Sequence, residues 1–182
     1  MKNILRKGAL LYADPSLQES PFRKSVIAII EHNRQGTTGI IINKPIELSL
    51  DSLILDEIPS DINMYYGGPV GQQSIFYLHN KGNLIRESHH ISEGTWWGGD
   101  FEIIKDLLNN QMVASSAFKF FIGYSGWSAG QLVDELEQKS WILGNEDLST
   151  VLQYEDPWKM KMQELGGRHA LWASLPEEIH LN

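Results

Sequence analysis

Two runs of β-branched and apolar residues constrain the fold most strongly. They span residues 25–32 (SVIAIIEH) and 38–43 (TGIIIN), and neither run alternates between apolar and polar positions. Strands with one wet face alternate, whereas strands covered on both faces read as continuous apolar runs. The linking residues NRQGT contain a glycine and are short enough for a tight connection. The sequence therefore predicts a central buried hairpin over residues 25–43.

Further segments predict a sheet with helices packed around it. Strands are predicted at residues 8–12, 63–66, 74–79, 117–122 and within 89–97. Because strands and helices mix without regular βαβ spacing, the expected fold class is α+β. We expect a single domain over residues 1–182, with a mixed and largely antiparallel β-sheet and packed helices.

Three helix starts carry capping chemistry. Asp100 precedes a helical pattern of apolar residues, FEIIKDLLNN. Ser128 and Gln131 fit a capping box, in which each side chain bonds a backbone N–H at the helix start. Asp156 followed by Pro157 is a third start, and that helix is predicted to stop at the GG pair of residues 166–167.

Composition excludes several function classes. The formal net charge of −8 opposes nonspecific nucleic-acid binding, because such binding depends on Lys and Arg neutralising phosphates. The chain has no cysteine, so disulfides, thiolate metal sites and cysteine nucleophiles are excluded. No apolar run approaches the ~20 residues of a membrane span, and the apolar stretch near the N-terminus is too short for a signal peptide. We expect a cytoplasmic protein without a membrane association.

The polar residues of the predicted hairpin fall at its two ends. At ~3.3 Å per residue, strands of this length separate the ends by roughly 20 Å, so the two groups cannot form one small site. Asn43 and Lys44 lie at one end, near Arg23, and are candidates for ligand contact or for simple termination of the strand. His32 and Asn33 lie at the other end, as turn residues or as further ligand candidates.

Two glycine-containing motifs are also candidates. Gly67 and Gly68 allow either a tight turn or a close approach of a ligand to the backbone. The segment GYSGW places Ser125 between a predicted strand and helix, as in a nucleophile elbow, but Trp127 stands where such an elbow has its second glycine. Ser125 and Trp127 are therefore candidates for a ligand-binding surface, with catalysis at Ser125 as the weaker interpretation.

The sequence gives little support for a metal site or a nucleotide site. The pair His89–His90 lies on a predicted strand, where adjacent side chains point to opposite faces and cannot bind one ion. The glycines of the hairpin lead into a strand, so the helix N-terminus that a phosphate loop requires is missing. The sequence predicts no metal and no cofactor.

Several motifs occur in a fixed order along the chain. They are GALLYADPSLQESPFRKSV, EHNRQGTTGIIINKP, GGPV, GGDFE, GYSGWSAGQLVDEL and DPWKMKMQELGG. Together they resemble the YqgE/AlgH family of small bacterial proteins from end to end. The resemblance implies a single-domain α+β fold with a mixed sheet and no established enzymatic activity. One branch carries a name that implies transcriptional regulation of exopolysaccharide synthesis, without a DNA-binding motif.

The family's motif positions coincide with most of the candidates named above. They map onto His32, Asn33, Gly39, Asn43, Lys44, Pro45, Gly67, Gly68, Pro69, Gly123, Ser125, Trp127, Gly130 and Gln131. Half of these are glycine, proline or cap residues, which indicates that the signature describes a fold as much as a site.

Two functional hypotheses follow. The first is a non-enzymatic cytoplasmic protein, a regulatory or binding module that acts through a protein partner or a small ligand, in a transcription-related role without direct DNA binding. The alternative is a hydrolase- or transferase-type enzyme with a site built from loop residues around Asn43, Lys44 and Ser125. A homo-oligomer is compatible with both.

Overall fold

The structure, a computed structural model, describes residues 4–18, 20–53, 58 and 62–175. These residues form ten strands and five α-helices. The strands are β1 (Leu10–Ala13), β2 (Val26–Asn33), β3 (Gly36–Ile41), β4 (Pro45–Ser49), β5 (Asn63–Tyr66), β6 (Val70–His79), β7 (His89–Ser92), β8 (Thr95–Trp97), β9 (Phe118–Ser128) and β10 (Trp141–Gly144). The helices are α1 (Phe101–Asn109), α2 (Gln131–Glu137), α3 (Leu148–Val151), α4 (Pro157–Leu165) and α5 (Gly167–Ser174).

The ten strands form one mixed sheet organised around β9. The main path of the sheet runs β10-β1-β2-β3-β9-β6-β8-β7, with antiparallel pairing at each step. The strand β5 pairs with β9 in parallel and with β4 antiparallel, so β5 makes the sheet mixed. The prediction of a single α+β domain with a mixed, largely antiparallel sheet is confirmed for the described residues.

The central hairpin is present as predicted. Strands β2 and β3 pair from Ile27 with Ile41 to Asn33 with Gly36, and they occupy the middle of the sheet. The first five residues of β2 are buried, whereas its last three, residues 31–33, are exposed. The prediction of strands covered on both faces, made from the apolar runs, is therefore confirmed. The tip of the hairpin projects into solvent.

Three apolar clusters hold helices against the two faces of the sheet. One face of β1, β2, β3 and β9 packs with α3, α4 and α5 through residues such as Phe121, Val151 and Trp158. On the opposite face, Trp127 and Leu132 join β9 to α2. Farther along that face, α1 packs on the first half of β9. The alternation of side chains along β9 thus places Phe118 and Phe120 toward α1 and Phe121 toward α3.

The helix starts agree with the sequence at two positions and differ at the third. The Asp100 carboxylate accepts the N–H of Glu102, and the Asp156 carboxylate accepts the N–H of Lys159. At α2, half of the predicted capping box forms, because the Gln131 side chain accepts the N–H of Ser128. The helix nevertheless begins after Gly130, which has φ +81° and takes the cap position. The prediction of Ser128 as the N-cap is wrong, since β9 continues through Ser128.

The helices found in the described part of the chain are all short. None of them has both the length and the apolar character to cross a membrane.

A close backbone contact crosses the middle of the sheet. The Gly67 N–H donates to Ile122 and the Gly67 carbonyl accepts from Ile41, so the GG pair of residues 67–68 lies between β3 and β9. Gly123 has φ +71°, a region that favours glycine. A Cβ there would overlap the Gly68 carbonyl oxygen and lie 2.8 Å from that of Val70. The predicted end of the strand at Ile122 is therefore wrong: β9 passes through this contact.

We expect Gly123→Ala to lower the free energy of unfolding by about 3 kcal/mol or more, because it adds both backbone strain and a clash. Gly126→Ala is the matched control on the same strand. Gly126 has no positive φ, and its nearest neighbouring atom would be 3.5 Å away, so the effect should be within about 0.5 kcal/mol. Urea denaturation of both variants tests this, and equal effects would contradict the account of the crossing.

Candidate functional site

Asn43 and Lys44 meet the loop that contains Arg23. The Asn43 Oδ1 accepts the N–H of Val26 at 2.7 Å, and its Nδ2 donates to the Lys24 carbonyl at 2.9 Å. The Lys44 ammonium donates to the Pro21 carbonyl at 2.6 Å. These bonds fix the start of β2 to the end of β3. The prediction that Arg23, Asn43 and Lys44 contact a ligand stays a prediction.

His32 and Asn33 lie at the opposite end of the hairpin, as the spacing predicted. The Asn33 Oδ1 accepts the N–H groups of Gln35 and Gly36, which closes the turn. The His32 Nδ1 is 2.8 Å from the hydroxyl oxygen of Thr37, its cross-strand neighbour. The eight residues from Val26 to Asn33 are joined by seven steps that span roughly 23 Å, so the two polar ends of the hairpin are separate.

Gly67, Gly68 and Ser125 come together at the backbone crossing. A Cβ on Gly68 would lie 2.6 Å from the Ser125 nitrogen and would overlap the backbone of Tyr124. The Ser125 side chain is fully buried, and its hydroxyl donates to the Gly67 carbonyl at 3.4 Å. Ser125 lies inside β9 and not in a strand-to-helix turn. The elbow-like placement predicted for GYSGW is therefore wrong, and the Ser125 hydroxyl is bonded to the crossing.

Trp127 belongs to an aromatic cluster on the α2 side of the sheet. Its indole N–H donates to a Glu135 carboxylate oxygen at 2.9 Å, and that of Trp141 donates to the same oxygen at 2.7 Å. Phe22 packs against both indoles, with ring centroids 6.3 Å from Trp127 and 5.3 Å from Trp141. Trp127 also contributes, with Asn33, to the lining of an open groove of about 500 Å³ beside the hairpin tip.

Lys119, which was not among the candidates from the sequence, has an environment that is uncommon for a lysine. It is the second residue of β9, between Phe118 and Phe120, and its side chain is half-buried. Its ammonium lies 4.7 Å from the centroid of the Tyr65 ring, a cation–π contact. Burial lowers the pKa of Lys119, since the charged form loses water.

Lys119 lines two neighbouring cavities, which together we call the Lys119 cleft. The outer cavity has a volume of about 310 Å³ and the inner one about 80 Å³. They share part of their walls: Ser116, Phe118, Lys119, Leu152 and Gln153. The cleft therefore lies between the first residues of β9 and the segment that follows α3.

The electrostatics of the Lys119 cleft oppose those of the whole chain. No Asp or Glu is among the described residues that line either cavity, although the chain has a formal net charge of −8. The other ionisable groups of the lining are Tyr65 and His79. Burial lowers the pKa of His79, which favours its neutral form. The cleft thus presents one cation with no carboxylate beside it.

The alternation of side chains along a strand indicates from the sequence that Lys119 lies on one face of β9. In FKFFI, side chains alternate between two faces, and both faces of β9 are covered by helices. A lysine on a covered face is uncommon unless it is paired or used by a ligand. The burial of Lys119 can be inferred from the sequence only if α3 is known to cover this face of β9. Residue spacing does not show where α3 packs.

The two histidines of the His89–His90 pair each pack on a tryptophan. His89 packs on Trp97 and His90 packs on Trp96, each pair lying directly across β7 and β8. Within the ranges that the structure describes, no group of three or more His, Asp or Glu side chains could hold a metal ion.

Comparisons with known proteins agree over nearly the whole chain. A family model described as AlgH-like matches residues 10–170. A UPF0301 protein of Chlorobaculum parvum is 38% identical over 183 aligned residues, covering 98% of this chain and 97% of that protein. A UPF0301 protein of Cytophaga hutchinsonii is 35% identical, covering 98% of this chain and 100% of that protein.

Two solved structures share the fold. A crystal structure of a protein from Corynebacterium diphtheriae is 26% identical with a TM-score of 0.76, covering 96% of this chain and 95% of that one. The solution structure of the AlgH protein from Pseudomonas aeruginosa is 26% identical with a TM-score of 0.68, covering 97% and 98%.

We expect Asn43→Ala to lower the free energy of unfolding by about 2 kcal/mol, because the buried Val26 N–H would lose its acceptor. Asn145→Ala, at an exposed position, is the control and should change stability by less than about 0.5 kcal/mol. Chemical denaturation measures both. An Asn43→Ala protein as stable as the control would contradict the structural role of this side chain.

Proposed function

This chain belongs to the AlgH-like family, and from this premise we propose that it is a non-enzymatic binding module whose ligand is a small organic anion. The ligand occupies the Lys119 cleft and regulates the protein's association with a protein partner. The module is cytoplasmic and acts in a transcription-related role without touching DNA. The observation that carries the proposal is the half-buried Lys119 ammonium in a cleft whose described lining contains no carboxylate.

Charge supports an anionic ligand. The lowered pKa of Lys119 means that its ammonium is less stable in the cleft than in water, because burial removes water and the described lining supplies no opposite charge. An anion placed beside Lys119 would restore this lost stabilisation. A neutral ligand would leave the cation as poorly solvated as before.

Size and shape support a small ligand. The outer cavity, at about 310 Å³, lies at the lower end of the range found for small-molecule sites. Its lining combines an aromatic ring, Tyr65, with the hydrogen-bonding side chains of Asn63, Ser116 and Gln153. One charged group, one apolar wall and a few polar groups suit a compact organic acid.

The cleft's position supports a regulatory consequence of binding. Its walls come from β5, from β9 and from the segment after α3, which are distant in sequence. A ligand that contacts all three would hold α3 against the sheet and favour one arrangement of the surface there. A partner that recognises that arrangement would then bind with an affinity that depends on the ligand.

The alternative enzyme has no specific observation in its favour. Ser125 is buried and bonded to Gly67, and the Asn43 side chain bonds backbone groups of Val26 and Lys24. The Lys44 ammonium donates to Pro21. An enzyme of this kind needs a nucleophile and a base within reach of one substrate.

We predict that at least one small carboxylate or inorganic phosphate binds with an affinity that depends on Lys119. Isothermal titration at pH 7 against a panel of carboxylates, phosphate and matched neutral amides measures this. Lys119→Met should weaken binding about tenfold or more, as expected for loss of a charged partner, and Lys119→Arg should retain part of it.

The control for this experiment is Lys159→Met, which removes an exposed lysine on α4. It should leave the affinity unchanged. If no anion of the panel binds, or if Lys159→Met has the same effect as Lys119→Met, the proposed site is wrong. If the bound anion is chemically converted during incubation, as followed by proton NMR, the non-enzymatic assignment is wrong.

A further inference from the structure

A buried hydroxyl group of the inner cavity lacks a hydrogen-bond partner. Thr95, the first residue of β8, is 2% exposed and lines the inner cavity of the Lys119 cleft. Its Oγ1 is fully buried and makes no hydrogen bond with any part of the chain that the structure describes. Buried polar groups are nearly always bonded, and Thr95 lines the inner cavity, so a polar group that enters this cavity can supply the missing partner.

Strand pairing places Thr95 on the same face of the sheet as Lys119. Leu78 of β6 pairs directly with Lys119 of β9, and across its other edge it pairs directly with Trp97 of β8. Directly opposed residues share a face, and Thr95 shares the face of Trp97 because it is two residues away. Two strand spacings, about 10 Å, and two residues along β8, about 7 Å, place the backbone of Thr95 roughly 12 Å from that of Lys119. The flexible lysine side chain and a compact ligand can together bridge this separation.

The histidine of the inner cavity is already committed to the protein. The His79 Nδ1 accepts the N–H of Lys81 at 3.2 Å, which assigns the ring proton to Nε2. The Nε2–H then donates to the Gly98 carbonyl at 2.9 Å. The Ser149 hydroxyl is likewise bonded, to the Asp147 carboxylate. Of the two buried polar side chains that line this cavity, His79 and Thr95, Thr95 is therefore the one left to bond a polar atom of a ligand.

The inner cavity admits only a small group. Its volume of about 80 Å³ corresponds to roughly two or three non-hydrogen atoms, taking about 30 Å³ for a water molecule. Leu78, Phe118 and Leu152 contribute apolar surface to it. A short aliphatic segment that ends in, or carries, one hydroxyl fits both the volume and the orphaned Thr95 group.

We infer that the anion of the Lys119 cleft is a small hydroxycarboxylate, with its carboxylate on Lys119 and its hydroxyl bonded to Thr95 Oγ1 in the inner cavity. This inference rests on the proposed function and specifies its ligand class. Thr95 is the specificity determinant: a carboxylate without the hydroxyl enters the same cleft but leaves Thr95 unbonded.

The experiment compares matched pairs of acids on the full chain. Isothermal titration with 2-, 3- and 4-hydroxybutyrate and with butyrate gives the preference for the hydroxyl group and its best position. We expect the best hydroxybutyrate to bind roughly fivefold tighter than butyrate, the contribution of one neutral hydrogen bond. Thr95→Val, which keeps the side chain's shape, should remove this preference and leave butyrate binding unchanged.

Two further variants keep the test interpretable. Thr95→Ser retains a hydroxyl and should retain the preference, even if the valine variant folds poorly. Ser25→Ala removes another buried hydroxyl without a recorded partner, directly before β2 and outside the lining of both cavities. It should leave both affinities unchanged.

The outcomes separate this inference from the proposed function. Lys119-dependent binding of butyrate and all hydroxybutyrates with equal affinity would overturn the hydroxycarboxylate class and leave the anion site standing. A preference for the hydroxyl group that persists in Thr95→Val would overturn the role of Thr95. This result is expected if the ligand hydroxyl bonds a water molecule in the inner cavity. Absence of Lys119-dependent binding by any acid overturns both.

Discussion

The backbone contact between Gly67–Gly68 and β9 is the constraint on which the rest of the sheet depends. The strand β9 pairs with β5 and β6 along its first half and with β3 along its second half. The chain between β5 and β6 must pass β9 where these partners change, and Gly67, Gly68 and Gly123 leave room for it. This crossing joins the hairpin half of the sheet to the half that carries Lys119.

The polar residues of the hairpin and of α2 serve this architecture. The Asn43 side chain ties β2 to the end of β3, and Asn33 closes the hairpin turn. Glu135 accepts two indole N–H groups and thereby holds α2 on the sheet. The Lys119 ammonium differs from these groups because its recorded contact is an aromatic ring and its pKa is lowered by burial. For that reason we propose the Lys119 cleft, and not these groups, as the ligand site.

The elements predictable from sequence were those fixed by local chemistry. Continuous apolar runs identified the central hairpin, and the carboxylates of Asp100 and Asp156 marked two helix starts. The end of β9 was not predictable, because its glycines are explained by a contact with Gly68, more than fifty residues earlier. The burial of Lys119 was not predictable either, because it depends on α3 and no local pattern places α3 over β9. Long-range packing, rather than propensity, decides both features.

The pKa of Lys119 decides whether this side chain binds an anion in the cleft. An NMR titration of the ¹³Cε resonance, assigned with Lys119→Arg, gives the pKa with and without a bound carboxylate. We predict a pKa below the unperturbed lysine value of about 10.4 without added carboxylate, and a rise when the anion binds, because the anion stabilises the ammonium. A Lys119 that titrates at the unperturbed value and does not respond to any anion would contradict this prediction.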